Sequence, residues 1–342
     1  MDPALFAENE RTAPAEDARR YAAIGDYRTE SGATIPDVTV AYEEWGSRAH
    51  PTILVLHALS GDSHAVGWWN RLVGPGRAID TERYHVLCSN VLGGCQGTTG
   101  PTSSAFPPIT VGDMVEVQAR LLDHLGLERL HAVAGGSMGG MQAIEWPLRF
   151  PDRVARVFTT ASAARHSAMQ IGFNEVGRQA IERDPRWRGG DYPDGDAPVD
   201  GLAIARMIGH LTFLSSEAFD AKFGRKPQRE EAGSEFAVES YLRYQGEKFT
   251  TRFDARSLVT LTRAIDAYDR PSFAGSRARY LSVGYTSDWI YPMGQSEEIA
   301  RLARESGCEA EHLPIALPYG HDAFLLDGEI QGAALRRFLT TE

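Results

Sequence analysis

The chain has 342 residues, 42% hydrophobic and 24% charged, enough to bury a large core in one globular domain or in a domain carrying an insertion. Its formal net charge of −11, from 35 Lys and Arg against 46 Asp and Glu, disfavours nonspecific nucleic-acid binding. Cys88, Cys95 and Cys308 are an odd number without CxxC spacing, which suggests free thiols rather than a disulfide framework or a zinc site.

At the start, "MDPALFAENERTAPAEDARRYAAIGDYRTE" lacks the apolar stretch of a signal peptide, and no apolar run approaches the roughly 20 residues that span a bilayer. The expected location is therefore the cytosol. Strand-like runs follow at "VTVAYEEW" (Val38 to Trp45), "TILVLHA" (Thr52 to Ala58), "YHVLCSNV" (Tyr84 to Val91) and "LHAVAG" (Leu130 to Gly135), then at "RVFTTAS" and "ARYLSVGY". Between them, "VGDMVEVQARLLDHLG" sets Met114, Val117, Leu121, Leu122 and Leu125 near one helical face before Gly126 ends the helix. Strands alternating with helices predict an α/β fold, a mostly parallel sheet covered on both faces.

The rhythm breaks near residue 164. From Arg165 to about Gly275 the pattern is helical, with "MQIGFNEVGRQAIERD", "DGLAIARMIGHLTFLSSEAFDAKFG", "AVESYLRYQGEKFTTRF" and "DARSLVTLTRAIDAYD" separated in part by the loop "PRWRGGDYPDGDAPVD". We expect a discontinuous core, 1–164 and 276–342, carrying a helical lid over 165–275.

Gly135-Gly136-Ser137-Met138-Gly139 is a GxSxG pattern placed after a strand and before a helix. Such a nucleophile elbow leaves a serine at the apex of a strained turn, and small neighbours let strand and helix approach while keeping the hydroxyl open. A glycine-rich turn that binds phosphate or merely packs is the alternative, but no Lys follows the glycines as a Walker loop requires. A serine hydroxyl needs a base, and in this fold the order is Ser, then Asp or Glu, then His. Asp288 in "VGYTSDWIYP" and His321 in "LPYGHDAFLLD" stand in that order, each just past a strand. Taken singly they read as a turn former and a surface histidine; in order, they read as a triad with Ser137. The oxyanion hole is expected from the backbone N–H of Met138 and of Leu59 in "LHALSGDSH", while His57, too early in the chain to be the base, braces that loop.

With these motifs in place, the chain resembles the homoserine O-acetyltransferases of the α/β-hydrolase superfamily. The likeness runs through "LHALSGDSHAVGWW", "CSNVLGGCQGTTGP", "GGSMGGMQAIEW", "HSAMQIGFNEVGRQAI", "DPRWRGGDY", "SYLRYQGEKFTTRFDA" and "YGHDAFLLD". It implies a two-step reaction in which Ser137 takes an acetyl group from acetyl-CoA and passes it to L-homoserine, giving O-acetyl-homoserine for methionine synthesis. It further implies that Arg206 in "ARMIGHL" meets the homoserine carboxylate and Asp322 its ammonium, that no metal or resident cofactor is used, and that the lid forms a homodimer. Taken alone, Arg206 reads as a solvated lid residue and Asp322 as a helix cap. Phe213 stands where relatives often carry Tyr, and the segment after "TTGPTSSAF" is shorter than in many relatives, which leaves the tunnel shape there open.

Succinyl in place of acetyl, serine in place of homoserine, or water as the acceptor would use the same triad. A non-catalytic receptor on this fold would not need Ser137, Asp288 and His321 intact. Lys222, Arg225, Lys226 and Arg229 carry charge suited to coenzyme A phosphates, yet Glu230 and Glu231 follow directly, as on an ordinary solvated surface.

Overall fold

The computed structural model describes residues 18–229 and 235–341; the opening segment up to residue 17 and the pair Glu230 and Glu231 lie outside them. The strands are β1 (Arg20–Arg28), β2 (Thr34–Trp45), β3 (Thr52–Leu56), β4 (His85–Ser89), β5 (Ala132–Gly136), β6 (Arg156–Thr160), β7 (Arg279–Tyr285) and β8 (Ala310–Ile315). The helices are α1 (Ala65–Trp68), α2 (Val111–His124), α3 (Met138–Arg149), α4 (Ala168–Glu182), α5 (Val199–Phe213), α6 (Ser216–Lys222), α7 (Ala237–Thr250), α8 (Ala255–Asp266), α9 (Met293–Glu305), α10 (Ala323–Leu326) and α11 (Ile330–Thr340).

One sheet holds the strands in the order β1-β2-β4-β3-β5-β6-β7-β8. From β4 to β8 every pairing is parallel, and β1 and β2 close one edge antiparallel. Every residue of β3, β4 and β5 is buried, as expected of strands covered on both faces. Alternation along β3 sends Leu54 and Leu56 into one apolar cluster, with α2, α3 and α8, and Ile53 and Val55 into another, with α1 and α11. Leu202, Ala205 and Phe249 belong to the first of these clusters, so the helices between β6 and β7 share the core of the sheet.

Local chemistry sets the element ends. Thr110 caps α2 by accepting from the Asp113 N–H at 3.0 Å, and the Asp113 carboxylate accepts from the Thr110 N–H at 2.8 Å in return. The chain crosses from β4 on one side of β3 to β5 on the other, which makes the carboxyl ends of β3 and β5 a topological switch point where a crevice opens. Both Leu59 and Ser137 follow these two strand ends.

Two features depart from the sequence-based expectation. β1 was not foreseen, because "RYAAIGDYR" has a single β-branched residue, is largely exposed, and carries a register irregularity around Gly25 at φ +74°. The run "DGLAIARMIGHLTFLSSEAFDAKFG" is two helices. Leu214 turns extended at φ −103°, ψ 151°, and the Ser215 Oγ accepts from the Ala218 N–H at 3.0 Å to start α6.

Candidate active site

Ser137 lies between β5 and α3 with φ +55° and ψ −125°, a conformation that costs a non-glycine residue about 1–3 kcal/mol. Its surroundings hold it there. The Ser137 N–H donates to Thr160 O at 3.1 Å, and the Ser162 Oγ donates to Ser137 O at 2.8 Å. The flanking glycines are needed for close approach rather than flexibility. A Cβ on Gly139 would lie 2.0 Å from Leu56 O, and one on Gly135 would lie 2.3 Å from the Gly139 carbonyl carbon. Both obstacles are backbone. We expect Gly139→Ala to lower unfolding stability by about 3 kcal/mol or more, because strand β3 and helix α3 must part; an unchanged denaturant midpoint would contradict this packing.

Asp288 and His321 arrive from the carboxyl ends of β7 and β8. The His321 Nδ1 lies 2.7 Å from Asp288 Oδ2, and both side chains are almost fully buried. The other carboxylate oxygen, Oδ1, accepts from the N–H groups of Ile290 at 3.1 Å and Tyr291 at 2.8 Å, so both oxygens of Asp288 are committed. Since a carboxylate only accepts, Nδ1 carries the proton and Nε2 is left as the basic nitrogen. His321 sits in a one-turn 3-10 helix, Gly320–Asp322, rather than an open loop. Gly320 adopts φ +70°, and a Cβ there would lie 2.4 Å from the Ser215 N, so the lid backbone rests on the histidine's own turn. Rings of Tyr291, Phe324 and Phe213 surround the imidazole, with Tyr291 stacked at 4.9 Å and 19°.

Ser137, His321, Leu59, Arg206 and Asp322 all line one cavity of about 310 Å³, together with residues of α4, α5, α7 and α8. Met138 is the first residue of α3, so its N–H is among the helix donors without an intrahelical acceptor. His57 braces the loop as expected, with Nδ1 2.8 Å from Ala58 O and Nε2 accepting from the Val91 N–H at 3.1 Å. Arg206 is not a solvated lid residue. Its guanidinium lies over the rings of Phe213 at 5.1 Å and Phe249 at 4.7 Å, half-buried, with Nη1 donating to Ser60 Oγ at 3.4 Å. Stacking of this kind leaves the edge of the guanidinium to recognise a planar anion.

Residues 51–327 match the family described as the alpha/beta hydrolase fold. A homoserine O-acetyltransferase of Solidesulfovibrio magneticus (strain ATCC 700980 / DSM 13731 / RS-1) is 46% identical over 91% of this chain and 88% of its own. The chain belongs to the homoserine O-acetyltransferase family. A solved homoserine O-acetyltransferase from Bacillus anthracis superposes with a TM-score of 0.87 at 26% identity, covering 95% of this chain and 98% of that one. Esterase E22 superposes nearly as well, with a TM-score of 0.86 at 27% identity over 94% of this chain and 99% of that one.

Two further residues of this homoserine O-acetyltransferase family member line the cavity, Lys222, whose sequence context reads as ordinary solvated surface, and His166, which the sequence does not single out. Lys222 is no surface lysine. It lines the cavity, its Nζ 4.2 Å from the Tyr241 ring centre, and burial lowers its pKa against the opposing pull of Asp322. His166 also lines the cavity, and nothing in "ARHSAMQ" marks it, because its partners come from residues about 100 and 125 positions away.

Proposed function

We propose that the chain transfers an acetyl group from acetyl-CoA to the hydroxyl of L-homoserine by way of an acetyl-Ser137 intermediate. One observation carries the reading: Ser137 and His321, the latter bonded to a buried Asp288, share one cavity with an arginine and a carboxylate, the two charges a zwitterionic amino acid needs. In the first step the His321 Nε2 accepts the Ser137 proton while Oγ attacks the thioester carbonyl. The N–H groups of Leu59 and Met138 stabilise the oxyanion, and coenzyme A leaves with the proton from His321. In the second step His321 accepts the homoserine hydroxyl proton, and that oxygen attacks the acetyl ester to give O-acetyl-L-homoserine and free Ser137.

Arg206 binds the amino-acid carboxylate and Asp322 the ammonium in this reading. Acetyl-CoA is a co-substrate; no metal or resident cofactor takes part. The product is proposed to feed methionine biosynthesis in the cytoplasm; among the described residues no helix is long and apolar enough to cross a membrane. A homodimer through the lid is proposed as well, supported by exposed Met169 and Val176 on α4, Ile204 and Leu211 on α5 and Tyr244 on α7. The core segments 1–164 and 276–342 and the lid 165–275 are the proposed units of the fold.

The likeness to esterase E22 favours a second reading, hydrolysis of acetyl esters with water as acceptor. Coenzyme A release decides between them when acetyl-CoA or succinyl-CoA is offered with homoserine, serine or no amino acid. Homoserine-dependent release from acetyl-CoA is expected. Release that ignores the amino acid means hydrolysis, and a preference for succinyl-CoA or serine overturns the substrate assignment. Arg206→Gln should raise the homoserine KM about 30-fold, the worth of a charge-assisted hydrogen bond. The acetylation rate of Ser137 should hold; an unchanged KM would remove Arg206 from carboxylate binding.

A further inference from the structure

Tyr291 joins the Ser137 site to a second histidine–carboxylate pair that the reaction above does not use. Its backbone N–H donates to Asp288, and its ring lies flat against His321 at 4.9 Å. Its hydroxyl lies 2.8 Å from the His166 Nε2, and the residue lines the same cavity as Ser137. Behind it, the His166 Nδ1 lies 3.0 Å from Asp266 Oδ1. Asp266 also accepts from Asn174 Nδ2 at 2.7 Å and from Arg178 Nη1 at 2.6 Å. Three segments, the β6–α4 loop, the middle of α4 and the end of α8, thus converge to position one phenol.

The donors and acceptors run in one direction along this chain. Asp266 can only accept, so the His166 Nδ1 carries a proton towards it. An imidazole that carries its proton on Nδ1 leaves Nε2 as the acceptor. Burial raises the Tyr291 phenol pKa well above its ordinary value, so the O–H is intact and donates to Nε2. Stacking on His321 alone would be served by Phe. A buried hydroxyl instead costs desolvation unless it is bonded, and here His166 and Asp266 supply that bond.

We propose that Tyr291 is a positioning residue for the catalytic histidine, its hydroxyl anchored on His166 so that the His321 ring stacked on it and the Asp288 carboxylate are held in place for acyl transfer. This rests on the acyl-enzyme reading given above, but not on the identity of the acceptor. Holding two reacting groups in one geometry affects the rate of the chemical step rather than substrate affinity.

The test compares wild type, Tyr291→Phe, His166→Gln and the double variant. Two readouts are used: the p-nitrophenol burst from p-nitrophenyl acetate, which reports acetylation of Ser137 without any amino acid, and steady-state transfer to homoserine. Tyr291→Phe keeps the stacked ring and should slow the burst and kcat about tenfold, the worth of one hydrogen bond, with the homoserine KM within about twofold. The double variant should be no slower than the slower single, because the chain acts as one unit. A wild-type burst rate in Tyr291→Phe, multiplicative losses in the double variant, or a change confined to KM would overturn the proposal. Should His166→Gln fail to fold, Tyr291→Phe alone decides. A wild-type burst without transfer to homoserine would defeat the acceptor assignment while leaving the Tyr291 comparison readable.

Discussion

Ser137→Ala is expected to lower acyl transfer by about 10⁵-fold or more while leaving the fold intact, since it removes the hydroxyl proposed to carry the acyl group. The exchange removes one oxygen and keeps the Cβ, so the φ of +55° and the contacts of Gly135 and Gly139 are unaltered. Ser137→Gly supplies the matching control. It should be equally inactive, yet it removes the Cβ from a left-handed turn and should gain about 1 kcal/mol in unfolding stability. Activity of Ser137→Ala above about 1% of wild type would take the serine out of the nucleophile's role. A Ser137→Gly protein no more stable than Ser137→Ala would mean the elbow carries no strain.

Asp288→Asn should cost about 10⁴ in kcat with substrate affinity retained, through the tautomer of His321 rather than through lost packing. The N–H groups of Ile290 and Tyr291 hold the Oδ1 position, so the asparagine oxygen must stay there and its NH₂ must face His321. Nδ1 then becomes an acceptor, Nε2 takes the proton, and that nitrogen can no longer serve as a base. The measurement is a kcat and KM determination beside a melting curve. A near-normal rate would mean that another carboxylate orients the imidazole, and a large rise in KM with normal kcat would mean that Asp288 shapes substrate binding instead.

Ser137 and Asp288 were legible as candidates because each follows a strand that composition marks, "LHAVAG" and "ARYLSVGY", whereas β8 ahead of His321, "AEHLPI", has only one β-branched residue and His321 was found through the Ser, Asp, His order. In a parallel sheet those strand ends share one edge, so order along the chain becomes proximity in space. Arg206 was placed in the cavity only by resemblance. Its setting depends on Phe249, which comes from α7 and has no sequence link to "ARMIGHL". His166, Asp266 and Tyr291 were illegible for the same reason, since their contact needs the lid and the sheet to meet. β1 escaped because a largely exposed antiparallel edge strand need not be apolar, and the break at Leu214 escaped because it rests on a serine cap inside an otherwise continuous helical pattern.

The most direct measurement is the intact mass of the protein mixed with acetyl-CoA and no amino acid, followed by peptide mapping and then addition of L-homoserine. A single acetyl group on the peptide containing Ser137, discharged on addition of homoserine with formation of O-acetyl-homoserine, is the expected result. Turnover with homoserine but no acetylated Ser137, or an acetyl group carried on another side chain, would contradict a transfer that passes through this serine.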